Sequence, residues 1–221
     1  HRDERGDAAN DVVASAVGHR HDRKRAVRSL DELGGDASPV AIDVAIVGAG
    51  AAGLATAIRA CEARPDARVW VLDGARTLGA KILVSGGGRC NVTNRHVSER
   101  DYWGGDRRFI ARVLRAFQAS RAVDWFASLG VPCHEEVDGK VFPDSNSSRT
   151  VLQALVDRAR TLGVRIVPGA RVVAIRALDA GFEVVCRDGR ATTAARVVLA
   201  TGGRSLPKRD RKSTRLNSSH T

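Results

Sequence analysis

The turn Gly48-Ala49-Gly50-Ala51-Ala52-Gly53 restricts the fold of this chain more than any other stretch. Before it lies Ala41-Ile42-Asp43-Val44-Ala45-Ile46-Val47, a short β-rich run of the kind buried on both faces of a parallel sheet. After it, Leu54 to Ala63 reads as a helix that Pro65 ends, and Val69-Trp70-Val71-Leu72 reads as a second buried strand. The spacing predicts a βαβ unit, because parallel strands need a crossover of this length. Asp73, 25 residues after Gly48, closes the second strand. A lone GxGxxG is a weak signal, but a strand before it, a helix after it and an acid at that distance make a dinucleotide site the expectation. Gly48 permits the tight turn, Gly50 lets a pyrophosphate approach the backbone, and Gly53 with Ala57 allows close helix–strand packing. The helix start, Ala52 included, offers free amides and the positive end of the helix dipole to phosphates. Asp73 is expected to accept hydrogen bonds from a ribose diol.

A second stretch, Gly79-Ala80-Lys81-Ile82-Leu83-Val84-Ser85-Gly86-Gly87-Gly88-Arg89-Cys90-Asn91-Val92-Thr93-Asn94, lies in a glycine-rich region read as irregular from Gly74 to Asn94. Consecutive glycines can adopt positive φ and lie flat against a ligand, and their amides can form an anion-binding nest. Lys81 and Arg89 would add positive charge there, for a pyrophosphate or a reduced flavin edge. Ser85, Gly86, Gly88 and Asn91 join them as candidate cofactor contacts. Cys90 reads chiefly as a small packing residue, with an activated thiol as the alternative.

Helices are expected at Arg107–Ala119, Ala122–Leu129 and Ser147–Leu162. Val131–Val137 and Lys140–Phe142 read as a small hairpin, and strands are expected at Val164–Val167, Arg171–Ala177, Phe182–Arg187 and Ala195–Ala200.

The Gly79–Asn94 stretch resembles the signature of the BaiN/RdsA-like flavoproteins, also called aminoacetone-oxidase-like FAD-binding enzymes. Gly139-Lys140-Val141-Phe142-Pro143-Asp144-Ser145 is similar to that family's G-R-V-F-P-x-S segment. Ala200-Thr201-Gly202-Gly203-Arg204-Ser205-Leu206-Pro207-Lys208 is similar to its A-T-G-G-x-S-x-P-K segment. The resemblance spans residues 41–208. It implies an α/β, Rossmann-like FAD-binding domain with a parallel sheet and flanking helices, incomplete, with the start of a second region. It also implies FAD as cofactor, NAD(P)H as a candidate electron donor, and hydride transfer between flavin and a small organic substrate. Family members are associated with reduction of steroid-like enones and oxidation of aminoketones. By the same resemblance Thr201 and Gly202 pass beside the cofactor, and the main chain of Val172 meets the adenine. An NAD-dependent dehydrogenase and a non-catalytic nucleotide-binding regulator remain competing readings, and no catalytic acid or base can be named.

The net charge of +11 raises the question of nucleic acid. Residues 204–221 hold six basic and one acidic side chains, almost half of the excess, and Arg outnumbers Lys by 31 to 5, a bias expected of a GC-rich genome. No nucleic-acid partner is therefore expected. No apolar run reaches the roughly 18–20 residues of a membrane span. The four cysteines form no CxxC pair and match no zinc spacing, so no metal is expected, and isolated thiols fit a cytoplasmic protein. Residues 1–39 are expected to be a loosely ordered extension. Asp210 to His220, DRKSTRLNSSH, matches a translated sequencing adapter, so residues 209–221 read as a non-native tail. With no methionine in the chain, a fragment carrying the first half of the site, and inactive by itself, is the expectation.

Overall fold

The computed structural model describes residues 42–203. The N-terminal extension, residues 204–208 of the late segment and the 209–221 tail lie outside them. The GxGxxG turn joins strand β1 (Ile42–Val47) to helix α1 (Ala51–Ala63), which leads to β2 (Val69–Asp73). Further along come β6 (Arg165–Pro168), β7 (Val172–Leu178), β8 (Gly181–Cys186) and β9 (Ala191–Leu199). These strands form one sheet in the order β6-β2-β1-β9-β8-β7. The β6-β2-β1-β9 part is parallel, with Ile46 of β1 between Val71 and Val198, and β9-β8-β7 continues as an antiparallel meander. The expected βαβ unit is present, and β9 completes the switch point beside β1 where open α/β sheets bind ligands.

Period-two alternation sends the side chains of β1 and β2 to two cores. Ile46, Val69 and Val71 pack with Leu54, Ile58, Val151 and Leu155 under the helices. Ala45, Trp70 and Leu72 pack on the other side with Val167, Val184 and Ala194. Each fully buried Leu or Ile stabilises by about 1.5–3 kcal/mol. Arg165 completes the second face by lying over the Trp70 ring, 4.3 Å from its centroid.

Helix α2 (Ala80–Val84) corrects the irregular reading of Gly74–Asn94. It is one turn long and anchored from outside: Ile82 is buried, and Ser148 Oγ donates to the Leu83 carbonyl at 3.1 Å. Such anchoring leaves no periodic signal in so short a stretch. Helices α3 (Arg107–Ala116), α4 (Ala119–Ser128) and α5 (Ser148–Thr161) lie close to their expected spans. Helix α3 stops before Phe117, earlier than expected. The expected hairpin is present as β4 (Cys133–Glu135) and β5 (Lys140–Pro143), and β3 (Thr93–Asn94) adds a third antiparallel strand in the order β3-β5-β4. That strand ties the end of the glycine-rich loop to the hairpin, with Thr93 opposite Val141.

Candidate functional site

Backbone geometry builds the site first. Gly48 has φ +110°, and a Cβ on it would meet the Ala200 carbonyl oxygen at 2.4 Å. The turn thereby passes directly under the end of β9, and Ala200 N donates to Val47 O at 2.8 Å. Asp73 locks the turn from the other side. Its Oδ2 accepts from Ala49 N at 2.6 Å and its Oδ1 from Ala75 N at 2.7 Å. Each carboxylate oxygen keeps a lone pair for another donor. Gly50 caps α1 without a side-chain hydrogen bond, and the first turn of α1 carries no acid. Its leading amides are therefore left to solvent or an anionic ligand.

These elements border a cleft of about 440 Å³, within the roughly 300–1,000 Å³ of small-molecule sites. Gly48, Gly50, Ala52, Asp73, Lys81, Ser85, Asn91, Thr201 and Gly202 all line it. Lys81 reaches across from α2, and its Nζ donates to the Gly203 carbonyl. Ser85 Oγ donates to Ile82 O at 2.8 Å. In the amide orientation that satisfies both of its polar atoms, Asn91 donates to Thr93 O at 2.7 Å and to Val141 O at 3.2 Å. Thr77, Phe126, Val151 and Leu155 also form walls, and sequence reasoning did not place them there. Val151 and Leu155 were legible as the apolar face of α5, but that periodicity does not show that the face continues into a cleft.

Five candidates fall outside the lining. Gly53 packs beneath the turn, where a Cβ would lie 1.8 Å from the Gly48 carbonyl oxygen. Gly86 and Gly88 have the expected positive φ, +54° and +92°, as does Gly87 between them. A Cβ on Gly86 would strike Asn91 N at 2.7 Å and the Phe142 ring at 2.8 Å, so this glycine seats the loop on β5. Val172 begins the edge strand β7 and packs against the second core.

Arg89 departs most from expectation. Its Nη1 donates to Glu136 Oε1 at 2.6 Å, and its guanidinium lies 4.0 Å from the Phe142 ring centroid. The Arg89 hydrogen bond, together with the positive charge beside it, holds the Glu136 carboxyl below the usual carboxylate range. The Arg89 charge thus clamps the loop to the hairpin rather than facing the cleft.

Cys90 is buried, with φ +68°. Burial pushes its thiol above the ordinary value, as it does for Cys61, Cys133 and Cys186. A buried, protonated thiol is a packing group, not a nucleophile. In the native protein at pH 7.5, Cys133, the one half-buried member of the four, is expected to react first with a thiol reagent. Cys61, Cys90 and Cys186 should react only on denaturation, and rapid native labelling of Cys90 by mass spectrometry would contradict this.

A larger hollow of about 720 Å³ lies between α3, α4 and the three-stranded sheet. Gln118, Ala119 and Ser120 at the start of α4 line it, but it contains no glycine turn, its Arg95 is paired with Glu135 at 2.6 Å, and the carboxylates of Glu99, Asp124 and Glu135 also border it. The smaller cleft is the candidate site because the backbone donors and the Asp73 carboxylate converge there.

The HI0933-like protein Rossmann domain model matches residues 42–217. The chain belongs to this family. The match extends past Lys208, where the resemblance read from the motifs stops. Among curated relatives, the 3-dehydro-bile acid delta(4,6)-reductase of Clostridium scindens is 37% identical over 162 residues, covering 73% of this chain and 39% of the relative. The ribosomal RNA dihydrouridine synthase of Escherichia coli is 33% identical over 165 residues, covering 75% and 40%. The chain thus spans about two fifths of the length of these relatives. With one relative named for ribosomal RNA, the absence of a nucleic-acid partner does not stand as a conclusion.

Two solved structures have a similar fold. The FrdA chain of E. coli quinol fumarate reductase has TM-score 0.56 at 20% identity, covering 73% of this chain and 32% of that one. The 3-ketosteroid-delta4-(5alpha)-dehydrogenase of Rhodococcus jostii has TM-score 0.54 at 21% identity, covering 80% and 48%. They establish the α/β Rossmann-type fold for this chain. Among the described residues, no helix is long and apolar enough to cross a membrane.

Proposed function

We propose that this chain carries the dinucleotide-binding site of an FAD-dependent oxidoreductase that moves a hydride between flavin and a small organic substrate. The observation that carries the reading is the open space above Gly50, where a Cβ would meet nothing within 4 Å, set at the uncapped start of α1. A pyrophosphate can approach the backbone there and receive the leading amides. The donor set fits the rest of an adenine dinucleotide. Asp73 keeps acceptor capacity for a ribose diol, Lys81 brings a cation to the cleft, and Thr201 and Gly202 leave a low wall where a flat ring system can lie.

When bound, FAD supplies the redox chemistry. The residues of this chain bind and orient it. The amides at Gly50–Ala52 neutralise phosphate charge, Asp73 sets the ribose end, and Phe126, Val151 and Leu155 keep water from the inner wall. NAD(P)H is the proposed electron donor. The activity belongs to the whole protein, and an amphipathic ketone or enone is a candidate substrate class, given the bile-acid reductase among the relatives.

An NAD-dependent dehydrogenase would use the same glycine turn, and a direct titration separates the two. Adding FAD to the chain while following flavin fluorescence should give saturable quenching that ADP reverses and FMN does not. Saturable binding of NAD(H) without FAD would favour the dehydrogenase. Failure of every adenine dinucleotide to bind would overturn the site.

A further inference from the structure

Helix α3 turns apolar side chains in two directions. Ile110, Ala111 and Leu114 are half-buried, and Ala111 and Leu114 border the larger hollow. That is the stripe a surface helix ordinarily hides. A second stripe points away from it. Phe109, Val113 and Phe117 recur every four residues and so share one face, and they are 63%, 50% and 51% exposed. No residue of α3 is buried. Three large apolar side chains held in water along one helix face mark a surface that gains free energy when something covers it.

Charge and a ring complete the pattern. Arg108 and Arg112, also four apart, form the row beside the stripe, and α3 carries Arg107 and Arg115 as well but no carboxylate. None of the four is among the ion pairs of the described residues. Trp103, in the loop before α3, is 95% exposed. The acids on either side of it are turned to the backbone: Asp101 Oδ2 accepts from Ser98 N at 2.8 Å and Asp106 Oδ1 from Phe109 N at 2.9 Å. An apolar face edged by arginine, with a tryptophan at one end, suits a helix lying in the headgroup region of a bilayer. Its rings enter the acyl boundary, which Trp favours, while the guanidinium groups reach back to the phosphates. A second copy of this chain is the poorer occupant, since antiparallel packing of α3 on its equivalent would set the Arg108–Arg112 row against itself. An anionic lipid surface brings the complementary charge.

We infer that α3 and Trp103 dock this protein on an anionic lipid surface, through the Phe109–Val113–Phe117 stripe and the arginine row beside it. The inference stands apart from the flavin reading, since docking there needs no cofactor.

The full chain is titrated with vesicles of about one part phosphatidylserine to two parts phosphatidylcholine, and with vesicles of phosphatidylcholine alone. Co-sedimentation measures affinity and tryptophan emission reports the contact. Trp70 is buried and Trp125 half-buried, so a blue shift belongs to Trp103 and should vanish in Trp103→Phe. The parent should bind the anionic vesicles with that shift, less tightly as salt rises, and bind the zwitterionic ones far more weakly. Arg108→Ala/Arg112→Ala should bind the anionic vesicles about thirtyfold more weakly, the combined effect of two arginines near such a surface. Phe109→Ser/Phe117→Ser should bind about tenfold or more weakly with the salt dependence unchanged, because apolar contact is not screened. Val173→Ser, which removes an exposed apolar side chain on β7, should bind as the parent does. An unchanged circular dichroism spectrum verifies that each variant folds. No binding to either vesicle would overturn the inference, as would equal binding to both or a double-arginine variant that binds as tightly as the parent. A dimer that Phe109→Ser/Phe117→Ser abolishes, with no vesicle binding by the parent, would overturn it in favour of a second copy.

Discussion

Gly53→Ala is expected to prevent this domain from folding stably. The Cβ it adds would lie 1.8 Å from the Gly48 carbonyl oxygen and 3.0 Å from the carbonyl carbon, both backbone atoms. Gly48 cannot retreat, because its own Cβ position is already 2.4 Å from the Ala200 carbonyl oxygen on the other side. Helix α1 would have to move away from β1, opening the contact between Leu54, Ile58 and the buried face of Ile46. A loss of about 4 kcal/mol or more follows, at the upper end of single-substitution effects and comparable to a domain stability of about 5–15 kcal/mol. The thermal midpoint should fall by roughly 10 °C or more, or soluble expression should fail. Calorimetry of the variant beside the parent gives the answer, and a midpoint within 2 °C, roughly the effect of half a kcal/mol, would show that the packing is looser than described.

Gly50→Val should have the opposite profile: a retained fold and a lost cofactor. The conformation of Gly50, φ −81° and ψ −173°, is open to any residue, and nothing lies within 4 Å of the added Cβ. Loss of a favourable N-cap residue and reduced freedom of the unfolded chain act in opposite directions, each by less than about 1 kcal/mol. The thermal midpoint should therefore move little. The isopropyl group fills the space above the start of α1, so FAD affinity should fall about a hundredfold, equivalent to about 2.8 kcal/mol. Equal FAD affinity in Gly50→Val and the parent would remove the pyrophosphate from this position while leaving the fold intact. The pair separates the two roles expected of one motif, packing at Gly53 and the proposed access at Gly50.

The difference between these glycines shows what is legible in a linear pattern. The regular positions of GxGxxG, the apolar runs beside it and Asp73 at the end of β2 are local features. Each follows from backbone hydrogen bonding or side-chain periodicity over a few residues. They were sufficient for the βαβ unit, for α5, and for the hairpin of β4 and β5. Continuous apolar runs also carried β1 and β2, because a strand buried on both faces has no polar side to alternate with. Helix α2 escaped because one turn has no periodicity to read, and its support, Ser148, lies far along the chain.

The sequence by itself determined the βαβ unit at the centre of the sheet and the tight glycine turn within it, and led to the expectation of a dinucleotide there. Sterics at the glycines and the burial of β1 and β2 leave few alternatives. Only the tertiary structure decided which charges face the cleft. Arg89 stands beside the three glycines in the chain, yet its guanidinium is held by Glu136, 47 residues away, whereas Lys81 enters the cleft and bonds to Gly203, 122 residues away. A long cationic side chain goes wherever a partner and a ring face can take it, and that choice is made by strands and helices meeting from distant parts of the chain. The same holds for the arginines of α3, none of which pairs with a carboxylate among the described residues, a placement that no count of charges along the sequence could have located.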